Sequence, residues 1–221
     1  MKVGVLFSGG KDSAYAAWLA KEEGYEIVCL MSVFSKNKES YMFHTPSIKQ
    51  VERQAEVMGI PLIVQETDGE KEVELEDLKK IIEKARDEFG IEGVVTGAVE
   101  SVYQASRVQK ICNELDLECF NPLWQRDQFE LLRDLVENKF EVIVVGVFAY
   151  PLEKDFLGRK IDNGFIEDLK KLFDEYKINP AGEGGEFETF VLNCPLFGGG
   201  LKVKSFEDFG EGNSWRREVE V

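Results

Sequence analysis

One stretch near the amino terminus constrains the fold more than any other, because it joins a strand pattern to a helix pattern through two glycines. An apolar run at residues 3–7 precedes it, and a helical pattern at residues 14–21 follows it. The stretch reads Ser8-Gly9-Gly10-Lys11-Asp12-Ser13. The first N–H groups of a helix lack intrahelical partners and carry partial positive charge, and glycines let an anion approach the backbone closely. This order therefore predicts an α/β unit with a phosphate site at a helix N-terminus.

The other residues of the stretch fit the same interpretation. Ser8 and Ser13 add hydroxyl donors, and Lys11 adds a mobile cation. Asp12 either caps the helix or helps to hold a magnesium ion. The ordinary phosphate loop, GxxxxGK[ST], is absent. A simple glycine turn between a strand and a helix would not need this combination of residues at these spacings.

Composition excludes several classes of protein. The 221 residues carry 27 basic and 42 acidic side chains, a net charge of −15, so nucleic acid is a poor partner. No apolar run approaches the ~20 residues of a membrane span, and the chain starts without a signal-like segment, so we expect a cytoplasmic protein. The single histidine and the absence of a CxxC pair argue against a zinc or iron–sulfur site. The cysteines are Cys29, Cys112, Cys119 and Cys194.

Strand and helix patterns alternate through the first half of the chain. This alternation predicts a doubly wound parallel sheet of five strands in an α/β domain at residues 1–118. Asn121-Pro122 breaks the pattern. We therefore expect a second, smaller α/β domain at residues 119–221. Its predicted helices are 127–138 and 165–176, and its predicted strands are 140–148, 190–192, 202–205 and 215–219.

A glycine-rich acidic loop is the second candidate site. It reads Glu183-Gly184-Gly185-Glu186-Phe187-Glu188-Thr189. Its carboxylates can bind a cation or supply a general base, and Glu186 and Glu188 share a face if a strand has already begun there. In a chain this rich in glutamate, a solvated turn is the simpler interpretation on composition alone.

The Ser8–Ser13 stretch resembles the PP-loop, SGGxDS, of the N-type ATP pyrophosphatases. That superfamily, with its adenine nucleotide alpha hydrolase-like fold, cleaves ATP between the α and β phosphates. The resemblance implies ATP and Mg²⁺ as cofactors and a strand order of 3-2-1-4-5. It also implies that Met31 and Ser32 line the adenine and ribose, and that Gly97 and Ala98 lie close to the phosphates.

Further motifs, in order along nearly the whole chain, resemble the diphthine–ammonia ligase family in its short, archaeal-type form. They are residues 41–45, residues 97–104 with Arg107, residues 122–124 and the EGGEFET loop. The resemblance implies a ligase that adenylates the carboxylate of diphthine on translation elongation factor 2. Ammonia then displaces AMP, and pyrophosphate is the other product.

The resemblance also implies roles for individual residues. Lys11, His44, Arg107 and Glu186 would be catalytic; a surface histidine and a helix-surface ion pair are the alternatives for His44 and Arg107. Diphthine carries a trimethylammonium group, which calls for negative or aromatic surroundings. The residues implied to bind substrate are Tyr103, Gln104, Trp124, Glu183, Gly184, Gly185, Glu186, Glu188 and Thr189.

Two other functions stay open on the sequence. One is an N-type ATP pyrophosphatase that activates a different carboxyl or carbonyl group. The other is an ATP-binding sensor without turnover, although a sensor would not need the acidic loop. Transfer-RNA thiolation would favour paired cysteines and basic charge, and a glutamine-fed synthetase would need a glutaminase domain. The oligomeric state, including a homo-oligomer, is also open.

Overall fold

The computed structural model describes residues 1–35, 48–67 and 71–221. The prediction for His44 and the motif at residues 41–45 lies outside the described residues. By their internal contacts, the described residues divide into two units, Met1–Trp124 and Gln125–Val221.

The first unit alternates strands with helices, as the sequence predicts. Its strands pair in the order β3-β2-β1-β4-β5, and every neighbouring pair is parallel. The expected doubly wound sheet and its strand order are therefore confirmed. The strands are β1 (Lys2–Leu6), β2 (Glu26–Ser35), β3 (Leu62–Thr67), β4 (Gly93–Val95) and β5 (Glu118–Phe120). The helices are α1 (Lys11–Glu22), α2 (Ile48–Met58), α3 (Lys71–Phe89) and α4 (Val102–Glu114).

The core of the first unit explains why these segments take these forms. Small buried alanines on α1, such as Ala16 and Ala17, let the helix pack closely, and alanine also favours the helix. A buried apolar cluster joins alternate residues of β2 to α3 and α4, including Cys29 and Cys112. Burial raises the pKa of Cys29 to about 12, so this thiol stays protonated and serves in packing.

The first unit extends a few residues past the predicted boundary at residue 118. Strand β5 pairs with β4, so residues 118–120 belong to the parallel sheet. When the side-chain amide of Asn121 is oriented with its nitrogen towards the segment after β4, it donates to the carbonyls of Ala98 and Thr96 at 2.9 and 3.1 Å. The Asn121-Pro122 step thus ends a strand that is still attached to the first sheet, and Trp124 lies in the first unit.

The second unit is built on an antiparallel sheet in the order β7-β6-β9-β8. Its two α-helices begin after Asp127 and Asp162, whose side chains accept hydrogen bonds from the N–H groups of Glu130 and Phe165. The sequence indicated the mixture of helices and strands without indicating the strand direction. The elements are α5 (Gln128–Glu137), β6 (Glu141–Val147), α6 (Asn163–Tyr176), β7 (Phe187–Asn193), β8 (Ser205–Glu211) and β9 (Ser214–Glu220).

One predicted strand of this unit is wrong. Residues 202–204 precede β8, which starts at Ser205, where the predicted strand 202–205 was expected to end. A turn at Gly212-Asn213 joins β8 to β9 and sets their register, with Glu211 opposite Ser214. Most of β8 is exposed and polar, so it lacks the alternation of a half-buried strand.

Among the helices of the described residues, none combines the length and the apolar character that crossing a membrane requires.

Candidate active site

Hydroxyl groups hold the loop between β1 and α1 in shape. Ser13 Oγ accepts from the backbone N–H of Ser8 at 3.2 Å, donates to the carbonyl of Gly10 at 3.1 Å, and lies 3.1 Å from Ser8 Oγ. The N-cap of α1 is Gly10, which has no side chain that could cap the helix, and Asp12 lies two residues further along, in the first turn. Asp12 therefore does not occupy the N-cap position that the capping alternative requires. The N–H groups in the first turn of a helix are of the kind that bind phosphate.

Lys11 and Asp12 form an ion pair inside this loop. Lys11 is only 3% exposed, and its Nζ lies 2.8 Å from Asp12 Oδ2. The other oxygen, Asp12 Oδ1, is buried and has no hydrogen-bond partner among the described residues. A buried acceptor in this state is costly unless a ligand completes it, so Asp12 fits a bound Mg²⁺. No cluster of three metal-binding side chains occurs in the described residues.

Two glycines mark places where the backbone must pass very close to a neighbour. A Cβ added to Gly97, just after β4, would lie 2.8 Å from the backbone C of Asp12 and 2.8 Å from the N of Ser13. The segment just after β4 therefore packs directly against the start of α1, and contact of Gly97 with phosphate stays a prediction. Gly9 has φ +81°, and a Cβ there would lie 2.5 Å from Gln54 Oε1.

Gln54 is a residue that the sequence analysis missed. It lies on α2, is fully buried, and donates from Nε2 to the carbonyl of Gly9 at 3.0 Å. It thus ties the phosphate-binding loop to a second helix. Glutamine on an amphipathic helix is ordinary, so the sequence carries no signal that this one points inward.

The remaining residues expected near the nucleotide are partly used in packing. Ser32 is buried and donates its hydroxyl to the carbonyl of Phe7, at the end of the run that contains β1. Met31 is 1% exposed and belongs to the apolar cluster. The N–H of Ala98 donates to Thr96 Oγ1 at 3.4 Å. Contact of Met31, Ser32 and Ala98 with a nucleotide stays a prediction.

The start of α4 holds a guanidinium against an aromatic ring. Ser101 caps the helix by accepting from the N–H of Gln104 at 3.3 Å. The Cζ atom of Arg107 lies 3.3 Å from the centre of the Tyr103 ring, a cation–π contact. Arg107 Nε is buried without a hydrogen-bond partner among the described residues. This geometry differs from a helix-surface ion pair and leaves a donor that an anion can use.

In the second unit, the acidic loop is organised around Glu186, which is 8% exposed. Its Oε1 accepts from the backbone N–H and the side-chain amide of Asn179 at 3.0 and 2.7 Å, and its Oε2 accepts from the N–H of Gly184 at 2.8 Å. Strand β7 begins at Phe187, so Glu186 precedes it and Glu188 lies within it. The loop is a folded structure, and its assignment to substrate stays a prediction.

Gln128 on α5 extends this hydrogen-bond network. It donates to Asn179 Oδ1 at 3.4 Å and accepts from the N–H of Ala181 at 2.9 Å. The glycines of the loop are also needed, because Gly182 and Gly185 have φ of +76° and +82°. A Cβ on Gly184 would lie 2.6 Å from Asn179 Nδ2. The sequence analysis missed both Gln128 and Asn179.

The other predicted substrate residues are spread over both units. Glu183 is half-buried and Thr189 is buried. Arg216 of β9 places its Nη2 3.8 Å from Glu188 Oε1. In the first unit, Trp124 is half-buried, and its backbone N–H donates to the carbonyl of Asn121 at 3.2 Å.

Comparison with known proteins adds to this geometry. The family model described as the diphthamide synthase N-terminal domain matches residues 1–119, and the one described as its C-terminal domain matches residues 127–218. Diphthine–ammonia ligase from Rattus norvegicus is 36% identical over 89% of this chain and 80% of its own length. The protein of that name from Homo sapiens is 34% identical over 94% of this chain and 84% of its own length. That from Saccharomyces cerevisiae is 32% identical, and the match covers 89% of this chain and 33% of the yeast protein.

The parallel sheet, its strand order and the Ser8–Ser13 loop at the start of α1 are those of a PP-loop enzyme that uses ATP. The chain belongs to the diphthamide synthase family. Like its curated relatives, it is a ligase that forms a carbon–nitrogen bond.

Proposed function

We propose that the chain amidates the carboxylate of diphthine on translation elongation factor 2, in the cytoplasm, using ammonia and ATP. The reaction would proceed through an acyl-adenylate and release AMP and pyrophosphate. The observation that carries this proposal is the α1 N-terminus, with its glycine N-cap and its buried lysine, in a chain whose relatives are named diphthine–ammonia ligase. Ligation of a carboxylate needs such activation, because a carboxylate is a poor acyl donor until a good leaving group is attached.

The first unit would supply the activation. The N–H groups at the start of α1, with the hydroxyls of Ser8 and Ser13, would hold the departing pyrophosphate. Lys11 adds a positive charge that is already buried and so needs little reorganisation during the reaction. Asp12 would hold Mg²⁺, which neutralises phosphate charge when bound.

Arg107 and His44 would complete the site. The guanidinium of Arg107, fixed on the ring of Tyr103, would stabilise charge on the α-phosphate with its remaining donors. His44 would accept a proton from the incoming ammonium ion. Gln104 and Trp124 would shape the pocket.

The acidic loop would hold diphthine. A trimethylammonium group cannot donate a strong hydrogen bond, so it is recognised by negative charge and aromatic faces. Glu183 and Glu188 would supply the charge, on a loop whose shape Glu186, Gly184 and Gly185 maintain. Thr189 would contribute from the adjoining strand.

The test is incubation with ATP, Mg²⁺, ammonium and elongation factor 2 that carries diphthine. We expect AMP and pyrophosphate in equal amounts, together with the small mass loss that accompanies conversion of an acid to an amide. Lys11→Met should abolish both the release of AMP and pyrophosphate and the mass loss. Elongation factor 2 without diphthine is the matched control. Production of ADP, or pyrophosphate release with the unmodified factor alone, would contradict the proposal. An ATP-binding sensor would release no pyrophosphate at all.

A further inference from the structure

Glu188 and Arg216 lie on either side of Gly146 in the sheet of the second unit. Gly146, on β6, is in register with Glu188 of β7 and with Arg216 of β9. Side chains in register on neighbouring strands point to the same face of a sheet. The carboxylate and the guanidinium therefore face each other across a position that has no side chain, with Arg216 Nη2 3.8 Å from Glu188 Oε1.

An aromatic ring covers the space above this glycine. A Cβ on Gly146 would lie 2.6 Å from Cζ of Phe148 and 3.2 Å from Cβ of Glu188, so a side chain at this position would have to displace the ring. The guanidinium carbon of Arg216 lies 5.0 Å from the centre of the same ring. We call these four residues the Glu188–Arg216 strip: Gly146, Phe148, Glu188 and Arg216. The strip places a negative charge, an aromatic face and a positive charge side by side.

The ion pair of the strip is not of the kind that stabilises a fold. Its separation of 3.8 Å exceeds the ~2.7–2.9 Å of a charge-assisted hydrogen bond, and the side chains of Arg216 and Glu188 stay 40% and 26% exposed. Partly exposed pairs of this type contribute little to stability. The neighbouring pair of Arg217 and Asp208 is different, because it has two contacts, at 2.7 and 3.0 Å, between side chains that are 17% and 13% exposed.

We propose that the Glu188–Arg216 strip binds the zwitterionic part of the substrate. The quaternary ammonium group lies between the Glu188 carboxylate and the Phe148 ring, and the substrate carboxylate pairs with Arg216. This inference rests on the proposed function, since diphthine carries both groups. It assigns recognition to Glu188 and Arg216, because the two oxygens of Glu186 already accept three hydrogen bonds within the loop.

Steady-state kinetics with elongation factor 2 that carries diphthine tests the strip. Glu188→Gln and Arg216→Gln should each raise the KM for this protein at least tenfold and leave the KM for ATP unchanged. The matched control is the pair of Lys160 and Glu141, also 3.8 Å apart in the second unit. Lys160→Gln and Glu141→Gln should leave both KM values unchanged. If Arg216→Gln does not fold, Arg216→Lys keeps the charge and should still raise the KM.

A charge swap separates recognition from stability. The double variant Glu188→Arg/Arg216→Glu restores an ion pair but reverses its direction across Gly146. It should recover the Tm of the wild type without recovering the KM for the protein substrate. Recovery of the KM by the swap, or unchanged KM in both single variants, would overturn the inference.

A binding readout keeps this inference distinct from the proposed function. Trimethylglycine carries a quaternary ammonium and a carboxylate together, whereas choline carries only the first and acetate only the second. In an NMR titration, trimethylglycine should shift the amide signal of Gly146 at concentrations at least threefold lower than either control, and Arg216→Gln should remove this difference. Equal effects of the three probes would overturn the inference that the strip binds a zwitterion. If the wild type binds trimethylglycine selectively but does not amidate diphthine, the inference about the strip is supported and the proposed function is contradicted.

Discussion

Asn179 donates both its backbone N–H and its side-chain amide to one oxygen of Glu186, at 3.0 and 2.7 Å. The second oxygen of Glu186 accepts the N–H of Gly184 at 2.8 Å. These three hydrogen bonds explain why a carboxylate lies beside glycines in this loop, since the backbone folds around it. Glu186 thus maintains the shape of the loop, and the more exposed Glu188 is the carboxylate that we propose contacts the substrate.

Replacing Asn179 should loosen the acidic loop. Asn179→Ala removes a hydrogen bond to a buried carboxylate, so we expect it to lower the free energy of unfolding by about 1–3 kcal/mol, measured by urea denaturation. The matched control is Asn193→Ala, because Asn193 makes a longer, exposed bond of 3.5 Å to Glu141. Equal losses in the two variants would show that the contact with Glu186 is not what stabilises the loop.

The sequence predicts the first unit well because two independent signals agree there. Apolar runs mark the buried parallel strands, and the glycine–lysine–serine motif marks the junction of a strand and a helix. The strand order, however, came from family resemblance and not from the pattern. The antiparallel direction of the second sheet had no local signal, because it depends on pairing between distant segments.

The residues that the sequence analysis missed share one physical reason. Gln54, Gln128 and Asn179 are uncharged amides, and such residues are common on helix surfaces and in turns. Gln54 and Gln128 become important only through distant backbone groups, of Gly9 and Ala181. Asn179 becomes important only through the side chain of Glu186, which the fold of the loop brings to it. Strand β8 was misplaced for a related reason, since its polar residues are ordered by pairing with β9.

Adding a methyl group at Gly97 should damage nucleotide binding. The new Cβ of Gly97→Ala would lie 2.8 Å from the backbone of Asp12 and Ser13, closer than such atoms can approach, so the start of α1 must shift. We expect the KM for ATP to rise at least tenfold, with a smaller effect on the KM for the protein substrate. Gly199→Ala is the control, because a Cβ there meets nothing within 4 Å. An unchanged KM for ATP in Gly97→Ala would contradict the packing described here.

Gln54 should affect ATP binding although it lies on a different helix from the loop. Gln54→Leu keeps the side-chain volume but leaves the carbonyl of Gly9 without its 3.0 Å hydrogen bond. A bond of this kind is worth about 1 kcal/mol, so we expect a several-fold rise in the KM for ATP, measured by pyrophosphate release. Gln109→Leu is the control, since Gln109 is exposed and its side-chain amide donates to Asn113 of the same helix. Similar kinetics in both variants would argue that α2 does not support the loop.

The pair of Asp208 and Arg217 should make the stability of the second sheet depend on pH. Hydrogen bonds from Arg217, helped by its charge and opposed by burial, hold the pKa of Asp208 below its usual value. A lowered folded-state pKa means that the stabilisation is complete above the unfolded pKa of about 3.9 and is lost as the pH falls through the folded value. We therefore expect Asp208→Asn to lower the free energy of unfolding by about 1–3 kcal/mol at neutral pH, and the difference from wild type to shrink below about pH 4. Urea denaturation between neutral and acidic pH measures this, with Glu207→Gln as the control for an exposed carboxylate on the same strand. A difference between Asp208→Asn and wild type that stays constant over this range would mean that the ionised carboxylate does not link β8 to β9.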